Sequence, residues 1–504
     1  MRRADLKEKL SMAVMAAAFL AVGSGCAGSR PAPTEAMKHD EAGAKLRHQG
    51  DLEGSITEYR EALRLDPNDA EAHFNLGVVL RKKGDLDGAT EELQTALRLN
   101  PNNSAAHYHL GAVRGDKGDV VGAMAEFRTA IRLNPNYANG HMGLGSTLAN
   151  QGDLEGAMAE YRTAVRLAPN DSFGHNGLGN VLMGKGDFDG ATKEYETALR
   201  LNPNDTYSHD GLGAVLARKR DLDGAMAEFR AAIRLNPSDG YGHDGLGNVL
   251  ADKGDLDGAI AEFRTAIRLN PKDDQAHTNL GVALNGKGDL DGAIAEHRAA
   301  IGIDPGNSIA HFNLGIALLN KGKLDESITE DRTAIRLNPN FEMAHFDLGV
   351  ALFRKGDLNG AISEYLYALR LDPNDLKAHT NLGAAFHFKG DLEGAIAEYR
   401  TAIRLNPNEI NPHMDLGAVF YSKGDFEEAI KEYRVALGLN PNNAQAHYVL
   451  AMALMGQKNA SEAEKEIREF ERLAPDSPTK RQMIDQAKRW LDTIGAPGGR
   501  GGNL

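Results

Sequence analysis

Apolar positions along most of this chain follow a helical rule twice over in every stretch of 34 residues. Within residues 70–103, Leu76, Val79 and Leu80 lie on one side of a helix, and Ala89, Leu93, Ala96 and Leu97 recur at i, i+4, i+7 and i+8 on a second. Between the two, Gly84 is a residue tolerant of positive φ that can end the first helix. Asp85 offers a side-chain oxygen to the free amides that open the second. Leu99-Asn100-Pro101-Asn102 then stops that helix and turns the chain. The pattern predicts a helical hairpin.

The hairpin recurs without a change of register. Thirteen of the 18 prolines fall in one column, Pro67, Pro101, Pro135 and onward at a constant step to Pro475. A glycine column runs from Gly43 through Gly77 and Gly111 to Gly417, with Ala451 in its place in the last repeat. A lone hairpin has more apolar face than it can cover, so neighbours must stack to complete the core, and the chain is expected to be an all-α solenoid. Thirteen such units span 36–477. Small residues at Gly77, Ala89, Ala96 and their equivalents allow close helix approach. Residues 478–493, with Ile484, Ala487, Trp490 and Leu491 at helical spacing, are expected to form a helix capping the last hairpin, and 494–504 a flexible glycine-rich tail.

Leu76-Gly77, Ala89, Ala96 and Pro101, with the aromatic column Tyr59, Phe127, Tyr161, Tyr195, Phe229, Phe263, Tyr365, Tyr399 and Tyr433, resemble the tetratricopeptide signature. His73 and its equivalents depart from it, standing where that family often has Trp. The resemblance implies a right-handed superhelical solenoid of tandem tetratricopeptide (TPR) hairpins, its concave face lined mainly by the first helix of each unit. Pentatricopeptide RNA binders use a unit one residue longer, and 57 basic against 71 acidic residues (net charge −14) oppose a partner held through its phosphates. Nucleic acid is therefore not an expected partner.

The first residues differ from all that follows. Arg2, Arg3, Lys7 and Lys9 give a basic start, residues 10–22 are almost wholly apolar, and Gly23-Ser24-Gly25-Cys26 follows. That run is too short to span a bilayer, which needs about 20 residues, so 1–25 are expected to be a removed export signal. Cys26, the single cysteine, stands where a bacterial lipoprotein is cut and lipidated, although Gly23 replaces the usual Leu or Val of a lipobox. Ordinary signal-peptidase cleavage nearby is the alternative. Arg2-Arg3 only weakly resembles a twin-arginine motif, because Asp5 sits where a bulky apolar residue is usual. Residues 26–35 then link a lipidated cysteine to the repeats, and Ala27 resembles the pattern of outer-membrane sorting.

Two columns tempt a chemical reading. Thirteen of the 17 histidines, from His39 to His447, are in register, but equivalent positions in successive hairpins stand on the order of 10 Å apart, whereas a zinc ligand sits about 2 Å from its metal. The column is expected to be partly buried rings near the preceding turn. Glu92, Glu126, Glu160, Glu228 and Glu262, with Arg98 and its equivalents nearby, recur in unit after unit and read as a solvated face with weak ion pairs. No phosphate-binding glycine loop, nucleophile elbow or zinc-protease helix appears. No catalytic residue, metal, cofactor or small-molecule substrate is expected.

Residues that vary on the first helices carry the binding reading. Phe173, Tyr207 and Tyr241 share a column, with Asn176, Asp210 and Asp244 three positions on. In the same region Gly143, Gly177, Gly211 and Gly245 stand inside helices at a cost of about 1 kcal/mol each, explained by a close ligand backbone, by tight helix packing or by recent repeat duplication. Elsewhere that column holds Asn75, Asn279, Asn313 and Asn381, resembling the asparagine ladder that grips peptide backbones in some superhelical relatives. No Lys and Asn arrangement like the chaperone-tail carboxylate clamp is found. Phe353, His387 and Tyr421, with Arg354 and Phe388 beside them, form a second candidate patch. His297 and Asp331 interrupt the aromatic column and are expected to mark a weak junction.

Together these features point to a lipid-anchored envelope scaffold that binds proteins or peptides in its groove. An alternative is a structural part of a pilus, secretion or polysaccharide-export assembly. The repeats also resemble those of O-linked N-acetylglucosamine transferases, but only a short stretch follows Ser477, against the large catalytic domain of those enzymes.

Overall fold

The computed structural model describes residues 34–495. The leader, Cys26 and the end of the glycine-rich tail lie outside them. Among the described residues there are 27 α-helices and no strand, and no helix is long and apolar enough to cross a membrane.

One hairpin shows how the local sequence sets the helix ends. The first helix, Ala70–Lys83, closes on Gly84 at φ 90°. The Gly84 amide donates to the Arg81 carbonyl and the Asp85 amide to the Leu80 carbonyl, each at 2.9 Å, satisfying acceptors that the helix end leaves open. Asp85 Oδ1 accepts from the Gly88 amide at 3.0 Å and starts the second helix, Leu86–Leu99. After Pro101, Asn103 Oδ1 accepts from the Ala106 amide at 3.0 Å and opens Ser104–Asp116. Ala89, Leu93 and Ala96 of the second helix are fully buried, and a Cβ on Gly77 would stand 2.7 Å from Leu93 Cγ. Glycine there lets the two helices of a hairpin touch.

The chain divides into two compact units, residues up to Gly211 and residues from Leu212 on. In the first, five hairpins run from Glu35–Gln49 with Leu52–Leu65 to Ser172–Gly184 with Phe188–Leu201. In the second, seven run from Gly240–Asp252 with Leu256–Leu269 to Ala444–Gly456 with Ala460–Leu473. Pro478–Gly495 then packs Ala487, fully buried, and the half-buried Trp490 and Leu491 into the last core cluster, with Ala463 and Ile467.

The interior glycines are accounted for by packing. The Phe127 ring lies where a Cβ on Gly111 of its own hairpin (2.9 Å) and on Gly143 of the next (2.7 Å) would stand. Tyr161 sits in the same way between Gly145 and Gly177, Tyr195 between Gly179 and Gly211, and Phe229 between Gly213 and Gly245. Each ring of a second helix is wedged between two first helices, and a methyl group on either side would displace it.

The glutamate column departs from its expected solvated role. Nδ1 of His73 lies 2.5 Å from Glu92 Oε2, and His107 and His141 reach Glu126 and Glu160 at 2.6 Å. The other ring nitrogen, Nε2, donates to the carbonyl of the preceding proline, Pro67 for His73 (3.2 Å) and Pro135 for His141 (3.1 Å). One ring thus ties the inter-hairpin turn, the first helix and the second helix together. Glu92 is about three-quarters covered (24% exposed). Arg98, the expected ion-pair partner, instead donates to Thr95 Oγ1 at 3.2 Å. Reading along the second helix misses the histidine, because it stands across the hairpin on the first.

Candidate functional site

The second helices and the interior rings consume one side of each first helix, so the opposite side is what remains for a partner. In the first unit Phe173 and Tyr207 project into solvent, 68% and 77% exposed. Next to them runs a chain of hydrogen bonds. Tyr195 donates its hydroxyl to Asn180 Oδ1 (2.6 Å), Asn180 Nδ2 to Asn176 Oδ1 (3.1 Å), Asn176 Nδ2 to Ser208 Oγ (3.0 Å), and Ser208 its hydroxyl to Asp205 (2.7 Å). Asn176 is thereby fixed. Asp210 is buried. A small cavity of about 310 Å³ opens between Ser146, Asn150, Tyr161, Gly177 and Asn180, and Gly177 exposes the edge of the Tyr161 ring to it.

The second unit holds a groove of about 830 Å³. Tyr241, Asp244, Asn248 and Asp252 line it from Gly240–Asp252 at i, i+3, i+7 and i+11, and Gln275, Asn279 and Val282 from Asp274–Gly286. Gly245, without a side chain, leaves the Phe229 ring as part of the floor. Asp244 is held in place: its Oδ1 accepts from Asn279 Nδ2 at 2.9 Å and its Oδ2 from Asn248 Nδ2 at 3.0 Å, while Gln275 Nε2 donates to Asn279 Oδ1 at 2.9 Å. Burial pushes the Asp244 carboxyl above the usual carboxylate range, and the two amides oppose that shift. Arg220 stands at φ 65°, where the equivalent turns carry glycine except for that of Lys458, and pairs with Asp252 at 3.6 Å.

The structure therefore gathers Tyr241, Asp244 and Asn279 in one groove. Asn248, Gln275, Val282 and the Phe229 floor belong to it as well and escape the sequence reading. A signal for them exists, since Asn248 lies at i+4 from Asp244 on the same helix face and Gly245 marks a ring left uncovered below. Asn313 lies half-buried on Ser308–Asn320. Asn381 gives its amide to the Lys377 carbonyl of its own helix at 2.9 Å, so the asparagine column is not a uniform ladder of free amides.

The second patch is partly assembled. Phe353 is half-buried and meets the exposed Phe388 ring edge to face, centroids 5.4 Å apart, with Arg354 exposed next in sequence. His387 Nε2 lies 3.1 Å from Ser422 Oγ, and burial lowers its pKa. Tyr421 packs on Phe426 instead of joining the pair.

Comparison with known proteins adds the family. A profile described as "TPR repeat" matches residues 43–84, 79–118, 317–356, 351–390, 385–424 and 417–458, and one described as "Tetratricopeptide repeat" matches 110–172, 176–240 and 245–308. No curated protein matches. Among solved structures, the APC/C hetero-tetramer Cut9–Hcn1 shares 14% identity at a TM-score of 0.51, over 95% of this chain and 99% of that one. Yeast Tom70 shares 19% at 0.38, over 90% and 95%. YrrB, described as a TPR protein with an unusual peptide-binding site, shares 25% at 0.30, over 36% and 95%. At these identities the likeness to Cut9–Hcn1 is one of fold.

Proposed function

The chain belongs to the tetratricopeptide repeat family, whose fold serves protein–protein contact, and from that premise we propose that it is a non-catalytic scaffold of the bacterial cell envelope, holding segments of other proteins along its first helices. The observation that carries this reading is the groove of Tyr241, Asp244 and Asn279. Consecutive first helices there present exposed aromatic surface beside polar side chains held in place, a surface suited to a bound protein segment. Exposed Phe173 and Tyr207 offer a comparable surface in the first unit.

The envelope assignment rests on the basic start, the apolar run and Cys26. Export, lipidation of Cys26 and anchorage facing the periplasm belong to the same proposal. Several acyl chains on one cysteine would anchor the protein stably, whereas a single chain binds only marginally.

Affinity capture from solubilised envelope tests the scaffold reading. The full-length chain is compared with a Phe173→Ala/Tyr207→Ala variant and with Tyr241→Ala, and captured proteins are read by mass spectrometry. Partners lost from one variant and retained by the other are expected, and would assign each partner to a surface. Identical captures from all three would overturn the groove reading. Membrane fractionation of Cys26→Ala tests anchorage: release into the soluble fraction is expected, and retention would remove the lipid anchor from the proposal.

A further inference from the structure

Asp244 is an unusual residue to find on the floor of a peptide groove. Its carboxylate accepts amide hydrogens from Asn248 and Asn279 and, among the described residues, pairs with no lysine or arginine. A carboxylate has acceptor sites for about four donors, so two neutral amides leave capacity and leave the charge uncompensated. Two arginines also line the groove, Arg218 and Arg220; Arg220 is 3.6 Å from Asp252, and the side chains of that pair are both more than half exposed. The exposed Tyr241 ring lines the same groove, while the Phe229 ring beneath Gly245 is buried.

The geometry points to a socket for a basic side chain, in which Asp244 pairs with a lysine or arginine of the bound segment while the exposed Tyr241 ring flanks its cationic head. This rests on the groove reading above and names the chemistry of its occupant. A guanidinium or ammonium would supply the donors that Asp244 lacks, and low local dielectric strengthens such a charge-assisted bond. The Tyr241 ring adds cation–π attraction. An acidic segment is disfavoured, because its carboxylate would have to sit over the fixed Asp244 to reach the same walls. Burial of the Asp244 carboxyl gives further support, since the cost of holding that charge is relieved when a cation arrives.

A displayed library of short random peptides, selected on the immobilised full-length chain, supplies the probe. Selected peptides are then synthesised and measured by fluorescence anisotropy against wild type, Asp244→Asn, Tyr241→Ala and, as a control outside the groove, Asp87→Asn, an exposed carboxylate of another hairpin. The expected result is a shared Lys or Arg whose replacement by Gln weakens binding on the order of tenfold. Asp244→Asn should give the same loss with no further loss when the two changes are combined, and Asp87→Asn little change. Because the Lys→Gln or Arg→Gln comparison is made on wild-type protein, it stands even if a variant folds poorly. Peptides that need Tyr241 but are indifferent to Asp244→Asn, or whose essential residue is Asp or Glu, would overturn the basic socket and leave the groove reading intact. Peptides indifferent to every groove variant, or no binders at all, would overturn both.

Discussion

Asp331 occupies the place of the ring in its hairpin, and the consequences are local and electrostatic. Its side chain is fully buried, Oδ1 finds no hydrogen-bond partner, and Ser327 donates to Oδ2 only at 3.4 Å. Burial, with the nearby Asp347 carboxylate adding repulsion, pushes its pKa up to about 8. His297, in the same position one hairpin earlier, is 1% exposed with Nδ1 unpartnered, and burial lowers it to about 4. For Asp331 the folded chain holds a proton that an unfolded chain releases near 3.8. Its contribution to stability is therefore fully present below about pH 4 and is lost progressively as pH rises through about 8. Asp331→Asn, which cannot ionise, should flatten that part of the profile when denaturant unfolding is followed from pH 5 to 9. An unchanged slope would show that Asp331 does not titrate in this range.

At the scale of the element, the histidine bridge sets how the two helices of a hairpin and the turn before them hold together. His73 satisfies Glu92 on one helix and the Pro67 carbonyl in the turn. His73→Ala would leave both acceptors without their donor, costing about 1–3 kcal/mol. The ring is also partly buried packing volume, so loss of contact adds to the effect. Hydrogen exchange should quicken in residues 70–99, with Lys45→Ala, on an exposed part of Glu35–Gln49, as the comparison that changes little. Equal effects of the two substitutions would mean that the bridge carries no stability. The bridges between hairpins differ in kind. Lys83 reaches Glu53 at 2.7 Å and Lys117 reaches Asp87 at 2.6 Å, but these pairs lie on exposed surface and are worth little individually.

For the whole molecule, stability is expected to be the sum of hairpins and the interfaces between neighbours, because within each compact unit a repeat packs chiefly on the next. The terminal helix Pro478–Gly495 has a specific task in such an array. It covers the last hairpin through Ala487, Trp490 and Leu491, where no further repeat follows among the described residues. Deleting residues 478–504 should speed hydrogen exchange in residues 444–473 and leave residues 70–99 unchanged. Exchange that rises evenly along the chain would instead reveal cooperativity reaching well beyond neighbours.

The sequence by itself determined the hairpins. The constant step of the proline column, the glycine that ends most first helices and the aspartate that opens most second ones act within a few positions of one another, so local chemistry is enough to read them. It also marked the first-helix columns from which Tyr241, Asp244 and Asn279 come, since variation against a regular background is visible without coordinates. Only the tertiary structure decided what those side chains face. His73 and Glu92 stand on different helices of one hairpin, Asp244 and Asn279 on first helices of successive hairpins, and each pair meets because a hairpin folds back or a neighbour stacks. The same holds for Gly177 and Gly245, whose role is fixed by a ring on the preceding second helix. A helical period reports which side of a helix is buried, while the identity of the group it meets depends on packing between chain segments that the period does not encode.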